Sequence, residues 1–317
     1  MLRPLMRSAT QPPWRPQWPL LLLLMVLLCT FTAPAAAGIS SRFCDPDGRL
    51  TLEHKDRLLR VTALVRAELE RSGAEVAIVS RAGLDLARWG IRYSHAGVSL
   101  RHGTETPWAV RQLYYACDEQ APRIFDQGLA AFLFGADQPE RGFISIVLLP
   151  GGGEPVRSAA LDNRLALALL AGQYSANAYA FSTRYQNCNQ WLAEMLAAAW
   201  GGIGAQTDAR EAAQRWLRAQ GYEPTPVEVG WRPLVRAGPT FVPWVHNDDH
   251  PEEDLAAARY RISLPAAVEG LVRAQVPAAR RIEFCYSTRQ LLVRRGWGPP
   301  LAAGCIAEPG DEVSPLD

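Results

Sequence analysis

The stretch Tyr185-Gln186-Asn187-Cys188-Asn189-Gln190-Trp191 sets the strongest local constraint in this 317-residue chain. Apolar residues follow the cysteine at helical spacing: Trp191, Leu192, Met195, Leu196, Ala199 and Trp200. Cys188, Leu192, Met195 and Ala199 therefore share one helix face, the face that docks on a core. A thiol on the first turn meets unpaired N–H groups and the positive pole of the helix, which lowers its pKa and favours the thiolate. Far upstream, Tyr93-Ser94-His95-Ala96-Gly97-Val98-Ser99-Leu100 reads as a strand carrying a histidine. A cysteine on a helix end and a histidine on a sheet are the two halves of a cysteine-nucleophile site.

The first 37 residues read as a secretory signal peptide. Arg3, Arg7 and Arg15 precede an apolar run from Leu20 to Leu28, and Ala35-Ala36-Ala37 forms a small-residue cleavage site before Gly38. The run is shorter than the roughly 20 residues a bilayer span needs. The sequence thus predicts an exported protein, periplasmic or secreted, with no stable membrane span after cleavage. Removing the three leader arginines from 33 basic residues leaves 30 against 32 acidic ones. That balance excludes nucleic acid as a partner, because no clustered positive excess exists.

Five cysteines then remain: Cys44, Cys117, Cys188, Cys285 and Cys305. In an oxidising compartment cysteines pair, and an odd count leaves one over. Proximity in sequence pairs Cys285 with Cys305 and Cys44 with Cys117, leaving Cys188 free, although four cysteines allow three pairings. The competing reading makes Cys188 a small buried apolar residue.

Periodicity predicts an α+β chain. Leu52 to Ser72 is an amphipathic helix; Val76 to Val79, Arg92 to Leu100, Trp108 to Tyr115 and Phe143 to Leu149 are strands. Phe125 to Phe134 is a short helix or mixed segment, and Leu161 to Ala171 is a helix. A polar loop from Ser175 to Thr183 leads into the Cys188 helix, which Gly201-Gly202 ends. Beyond residue 203 the character changes: a charged helix at Ala205 to Tyr222, a proline-broken strand-like stretch at Pro224 to Pro243, and strands at Tyr260 to Leu264 and Arg281 to Tyr286 flanking a helix at Ala266 to Ala274. The expected division is a core at 38–203 and a C-terminal α+β extension at 204–317, packing on or beside it.

A thiol nucleophile needs a base, and the base needs a group that fixes it. Of five histidines, His54 falls on the charged, solvated face of the first helix and His102 in a turn. His246 and His250 lie in a polar stretch, where Pro251 argues for a loop over a zinc-binding helix. No metal is expected, and nothing calls for a cofactor. His95 alone sits in an apolar strand, where an unpaired imidazole costs free energy. Gln112, on the neighbouring strand, can accept the imidazole N–H and fix its tautomer. It is neutral, so it orients the ring without stabilising imidazolium; its bland alternative is an ordinary surface residue. The oxyanion would be met by the Cys188 N–H and a second donor, with Tyr93, Tyr185 and Asn187 as candidates. Trp200, Trp216, Trp231 and Trp244 read as core and cleft wall.

Ser94-His95-Ala96-Gly97-Val98, followed by Asn187-Cys188-Asn189-Gln190-Trp191, resembles the His-x-Gly and Asn-Cys motifs of circularly permuted papain-like proteins. That group contains permuted NlpC-type cell-wall hydrolases and lecithin:retinol acyltransferase-like enzymes. The stretch Phe181 to Trp191, with Asp248-Asp249-His250-Pro251 downstream, is similar to the bacterial family known as domain of unknown function 2145. The resemblance implies a permuted papain-like core: an antiparallel sheet packed on helices, with the nucleophile at a helix N-terminus. An acidic residue is common in the family near the position of Gln112, and there this chain departs. The implied function is an exported cysteine-dependent hydrolase or acyltransferase acting on a peptidoglycan peptide amide or a lipid ester. A non-catalytic exported binding protein of the same shape is the alternative.

Overall fold

The computed structural model describes residues 50–102, 106–136 and 138–316. The expected signal peptide and Cys44 lie outside them. Ten strands are present among these residues: β1 (Val76–Arg81), β2 (His95–Leu100), β3 (Ala109–Ala116), β4 (Ala121–Gln127), β5 (Gly142–Leu148), β6 (Thr225–Glu228), β7 (Arg259–Ile262), β8 (Arg280–Tyr286), β9 (Gln290–Arg295) and β10 (Glu312–Pro315). Eight form one sheet in the order β10-β9-β8-β5-β1-β2-β3-β4, and β6 pairs separately with β7. Every pairing is antiparallel. The central strands β1 and β5 are apolar on both faces because helices cover both faces. Edge strand β4 holds Pro122, whose missing N–H is tolerated where no further strand pairs.

One layer is α1 (Leu52–Arg71) and α2 (Leu129–Phe134). Leu58, Val61, Val65 and Leu69 of α1 pack with Phe132, Ala77, Val79, Val110 and Ile146. The opposite layer holds α3 (Gly153–Leu161), α4 (Asn163–Ala168), α5 (Cys188–Gly201), α6 (Ala209–Ala219) and, further on, α9 (Pro265–Gln275). Its core joins Val76, Ile78, Ala96, Val98 and Leu113 of the sheet to Trp191, Leu192, Met195 and Leu196. Each of those large side chains contributes about 1.5–3 kcal/mol on leaving water. Helix α5 is buried all round from Cys188 to Ala198, which is more than the single docking face expected of it. Gly202 ends it in the left-handed conformation that a C-terminal glycine supplies.

Several expectations are revised. Phe125 belongs to β4, where it pairs with Gln112, and only Leu129–Phe134 is helical; long-range pairing overrides the local apolar run. The helix expected at Leu161 begins at Gly153, breaks at Asp162 and restarts, because the Asp162 carboxylate accepts the Arg164 and Leu165 N–H groups. Within the proline-broken stretch, α7 (Arg232–Phe241) is a helix with Pro233 in its first turn, where a missing N–H leaves no bond unmade. A short α8 (Glu252–Ala256) follows. His54 is not simply solvated: it closes a capping box with Thr51, and its Nε2 lies 3.1 Å from Glu140. Residue 203 does not divide the sheet, since β8, β9 and β10 continue it beyond β5.

Cys285 and Cys305 form a disulfide with Cα atoms 5.5 Å apart, and Cys188 is a free, buried thiol. Cys117 is also disulfide-bonded.

Candidate active site

His95 opens β2 directly opposite Arg81 of β1. Alternation along the strands turns both side chains, with that of Gln112, towards the α2 layer. There the His95 ring lies 5.6 Å from the ring of Phe132. Gly97 permits the close approach of β3. A Cβ at that position would sit 2.8 Å from the Arg111 carbonyl oxygen and 3.2 Å from the Gln112 Cβ. The His-x-Gly spacing therefore has a steric reason.

Gln112 is fully enclosed and bonded at both ends of its amide. Its Nε2 donates to Gln127 Oε1, and its Oε1 accepts from His95 Nε2. An amide whose nitrogen is committed to Gln127 presents only oxygen to the ring. The proton accordingly sits on Nε2, and Nδ1 is left as an acceptor. The bland reading of Gln112 as a surface residue is thereby replaced: its environment is buried and its partner is the imidazole.

Cys188 starts α5 because Asn187 caps it, accepting the Gln190 N–H at 2.7 Å. The Asn187 amide also donates to the Ser263 carbonyl at 3.3 Å. Asn189 donates to the Ser94 carbonyl at 2.9 Å, tying the first turn of the helix to the residue before His95. Deeper in the helix, Glu194 is completely buried and accepts from Arg210 Nε at 2.9 Å, Gln214 at 2.7 Å and Gln186 at 2.6 Å. This network fixes the loop before the cysteine against both α5 and α6.

Thiol and imidazole meet at a cavity of about 80 Å³ lined by Cys188, His95, Arg81, Ser94, Tyr115 and Tyr174 among others. The β2–β3 ladder runs only from Val98 onward, so the two strands separate beside His95. Through that opening Cys188, from the α5 layer, and His95, from the α2 side, reach one space. Among the described residues the two side chains make no hydrogen bond to each other. A second cavity, of about 530 Å³, is lined by Ile91, Arg92, Arg141 and Phe143 and shares Leu84 with the first.

Electrostatics reverse one expectation. Burial pushes the Cys188 thiol up to about 12, against the opposing pull of the Asn189 and Cys188 N–H groups and of Arg81. With the side chain only 7 % exposed, desolvation of a thiolate outweighs the helix terminus. Burial and Arg81 together lower His95 to about 3, despite the bond to Gln112. The resting pair is neutral thiol and neutral imidazole. Arg81 itself lies in a slot between Gly83 and Gly135, where side chains would collide with its guanidinium, and donates to the Gly135 carbonyl.

The three expected oxyanion donors are engaged elsewhere, and none lines the cavity. The buried Tyr93 hydroxyl donates to Glu283 Oε1 at 2.6 Å, beside Arg92 at 2.8 Å. Tyr185 donates to Asp248 at 3.3 Å and stacks on His246 at 4.3 Å. Asn187 is the cap. The donors bearing on the sulfur are instead the backbone N–H groups of Cys188 and Asn189. Sequence reasoning also missed Arg81, Tyr115 and Tyr174. Arg81 was findable, since it closes an apolar strand facing His95; the tyrosines come from distant loop and strand ends and carried no signal.

A family model described as "Uncharacterized protein conserved in bacteria (DUF2145)" matches residues 68–272, a span that includes Arg81, His95, Gln112 and Cys188. No curated protein and no solved structure matches the chain.

Proposed function

The chain belongs to this family of uncharacterised bacterial proteins, and from that premise we propose that it is an exported thiol hydrolase or acyltransferase with a permuted papain-like core. The carrying observation is one cavity shared by the free thiol and an imidazole whose Nε2 is held by Gln112. Nδ1 accepts the thiol proton as sulfur attacks an amide or ester carbonyl. The backbone N–H groups of Cys188 and Asn189 meet the developing oxyanion. The imidazolium returns its proton to the leaving amine or alcohol, and water or an acceptor alcohol then releases the acyl group from sulfur. Because both groups rest neutral, proton transfer accompanies attack rather than preceding it. A cell-wall peptide amide is the first substrate class and a lipid ester the second, with the larger cavity beyond Leu84 as substrate space. The Cys285–Cys305 disulfide supports an oxidising compartment.

The deep burial of the thiol favours a second reading, a binding protein that keeps the shape without the chemistry. Incubating wild type and Cys188→Ala with purified peptidoglycan and with a short-chain ester separates the two. New amino termini or released alcohol in the wild type alone supports the enzyme. No turnover of either substrate by the wild type supports the binding reading.

A further inference from the structure

We propose that α7 and its flanks form a bilayer-contacting surface, taking the anionic lipid headgroup and upper acyl region as its ligand. Three of the exposed large apolar side chains among the described residues fall within this one short segment: Trp231 at 62 %, Leu234 at 45 % and Phe241 at 71 %. Val235 is the only buried residue of the helix, seated in a small core with Val227, Tyr260 and Ile262. The helix is therefore anchored at Val235, with Ala237, Gly238 and Pro239 half-buried and Leu234 and Phe241 exposed. From Val229 to Val245 the sequence has no acidic residue and two arginines, Arg232 and Arg236. Both arginines are exposed; Arg236 lies 4.0 Å from the equally exposed Glu252, an ion pair that water screens and that contributes little.

A short helix with Trp, Phe and Leu beside arginine has the composition that lies in a membrane interface, rings at headgroup depth and guanidinium groups on lipid phosphates. Isolated exposed apolar residues need no explanation, but three on one helix and its N-cap do. The surface is also joined to the wall of the thiol cavity. Trp244 accepts the Ala176 N–H at 2.7 Å through its carbonyl, and its ring lies 6.4 Å from that of Tyr115, which in turn lies 5.0 Å from Tyr174. Docking through α7 brings that wall towards the lipid. The inference does not rest on Cys188 being catalytic.

The test is vesicle co-sedimentation of the purified protein against a Trp231→Ser/Leu234→Gln/Phe241→Gln variant and an Arg232→Gln/Arg236→Gln variant. All three share the same N-terminus, so any contribution from it cancels. Vesicles contain phosphatidylethanolamine with or without phosphatidylglycerol. The expected result is binding by the wild type and a loss of affinity of at least about tenfold in the apolar variant. The arginine variant should lose only the preference for phosphatidylglycerol. Far-UV circular dichroism checks that the variants fold, and Trp231→Phe, which keeps the ring but not the indole, should retain most binding. Equal sedimentation of wild type and apolar variant overturns the proposal. So does a wild type that ignores vesicles but self-associates through this patch.

Discussion

At the residue scale, Cys188 shows two opposing effects on one group. A helix N-terminus stabilises a thiolate by a fraction of what full burial removes, and here burial prevails. Alkylation of Cys188 by iodoacetamide should therefore be slow at pH 7 and rise about tenfold per pH unit up to pH 10, because thiolate is scarce well below a pKa of about 12. A rate already at its plateau at pH 7 would contradict that. His95 makes the complementary statement about stability. The folded imidazole stays neutral down to about pH 3, whereas in the unfolded chain it protonates below its ordinary 6.5. The unfolded state thus binds more protons in that window, and stability falls as pH drops from 6.5 towards 3. Thermal midpoints measured across that range should flatten in His95→Gln relative to wild type. Gln112 adds a further test: Gln112→Glu puts a negative charge on Nε2–H, so an NMR titration should find the His95 pKa well above its wild-type value.

At the scale of elements, the Cys188 helix was legible because its signals are local. Apolar residues at helical spacing and Gly202 as stop act within a few residues, whereas Asn187, read as an oxyanion donor, is the cap. The strands β9 and β10 were not, since they are short and arginine-rich or proline-ended, and their stability comes from pairing onto β8. Likewise α3 begins at Gly153 after a Gly152 cap with no side-chain hydrogen bond, so no local signal marks its start. The His95–Gln112 pair was legible through the hairpin between neighbouring strands; Gly97 was read as part of a motif, and its steric role in the approach of β3 was not. What no local pattern disclosed is the Glu194–Arg210 pair, sixteen residues apart, on which the loop before Cys188 depends. Glu194→Ala leaves a buried guanidinium unpaired and should destabilise the fold by about 3–5 kcal/mol in urea unfolding. A loss under 1 kcal/mol would mean the network does not hold the loop.

At the scale of the molecule, a change of composition near residue 203 is not a structural division. The C-terminal strands complete the sheet that carries His95, and the Cys285–Cys305 bridge closes the far end of it. Opening that bridge by the double Cys→Ser substitution should cost about 3 kcal/mol, judged from the twenty-residue separation. The central claim is that thiol and imidazole, brought from opposite layers of the sheet into one cavity, act on a carbonyl together. The most direct measurement is the pre-steady-state acylation of Cys188 by a p-nitrophenyl ester, followed by release of p-nitrophenolate and by mass spectrometry of the adduct. The account predicts a burst of one equivalent with the acyl group on Cys188, slowed about 100-fold or more in His95→Ala. Acylation at the wild-type rate in His95→Ala, or an adduct on any other residue, would contradict it.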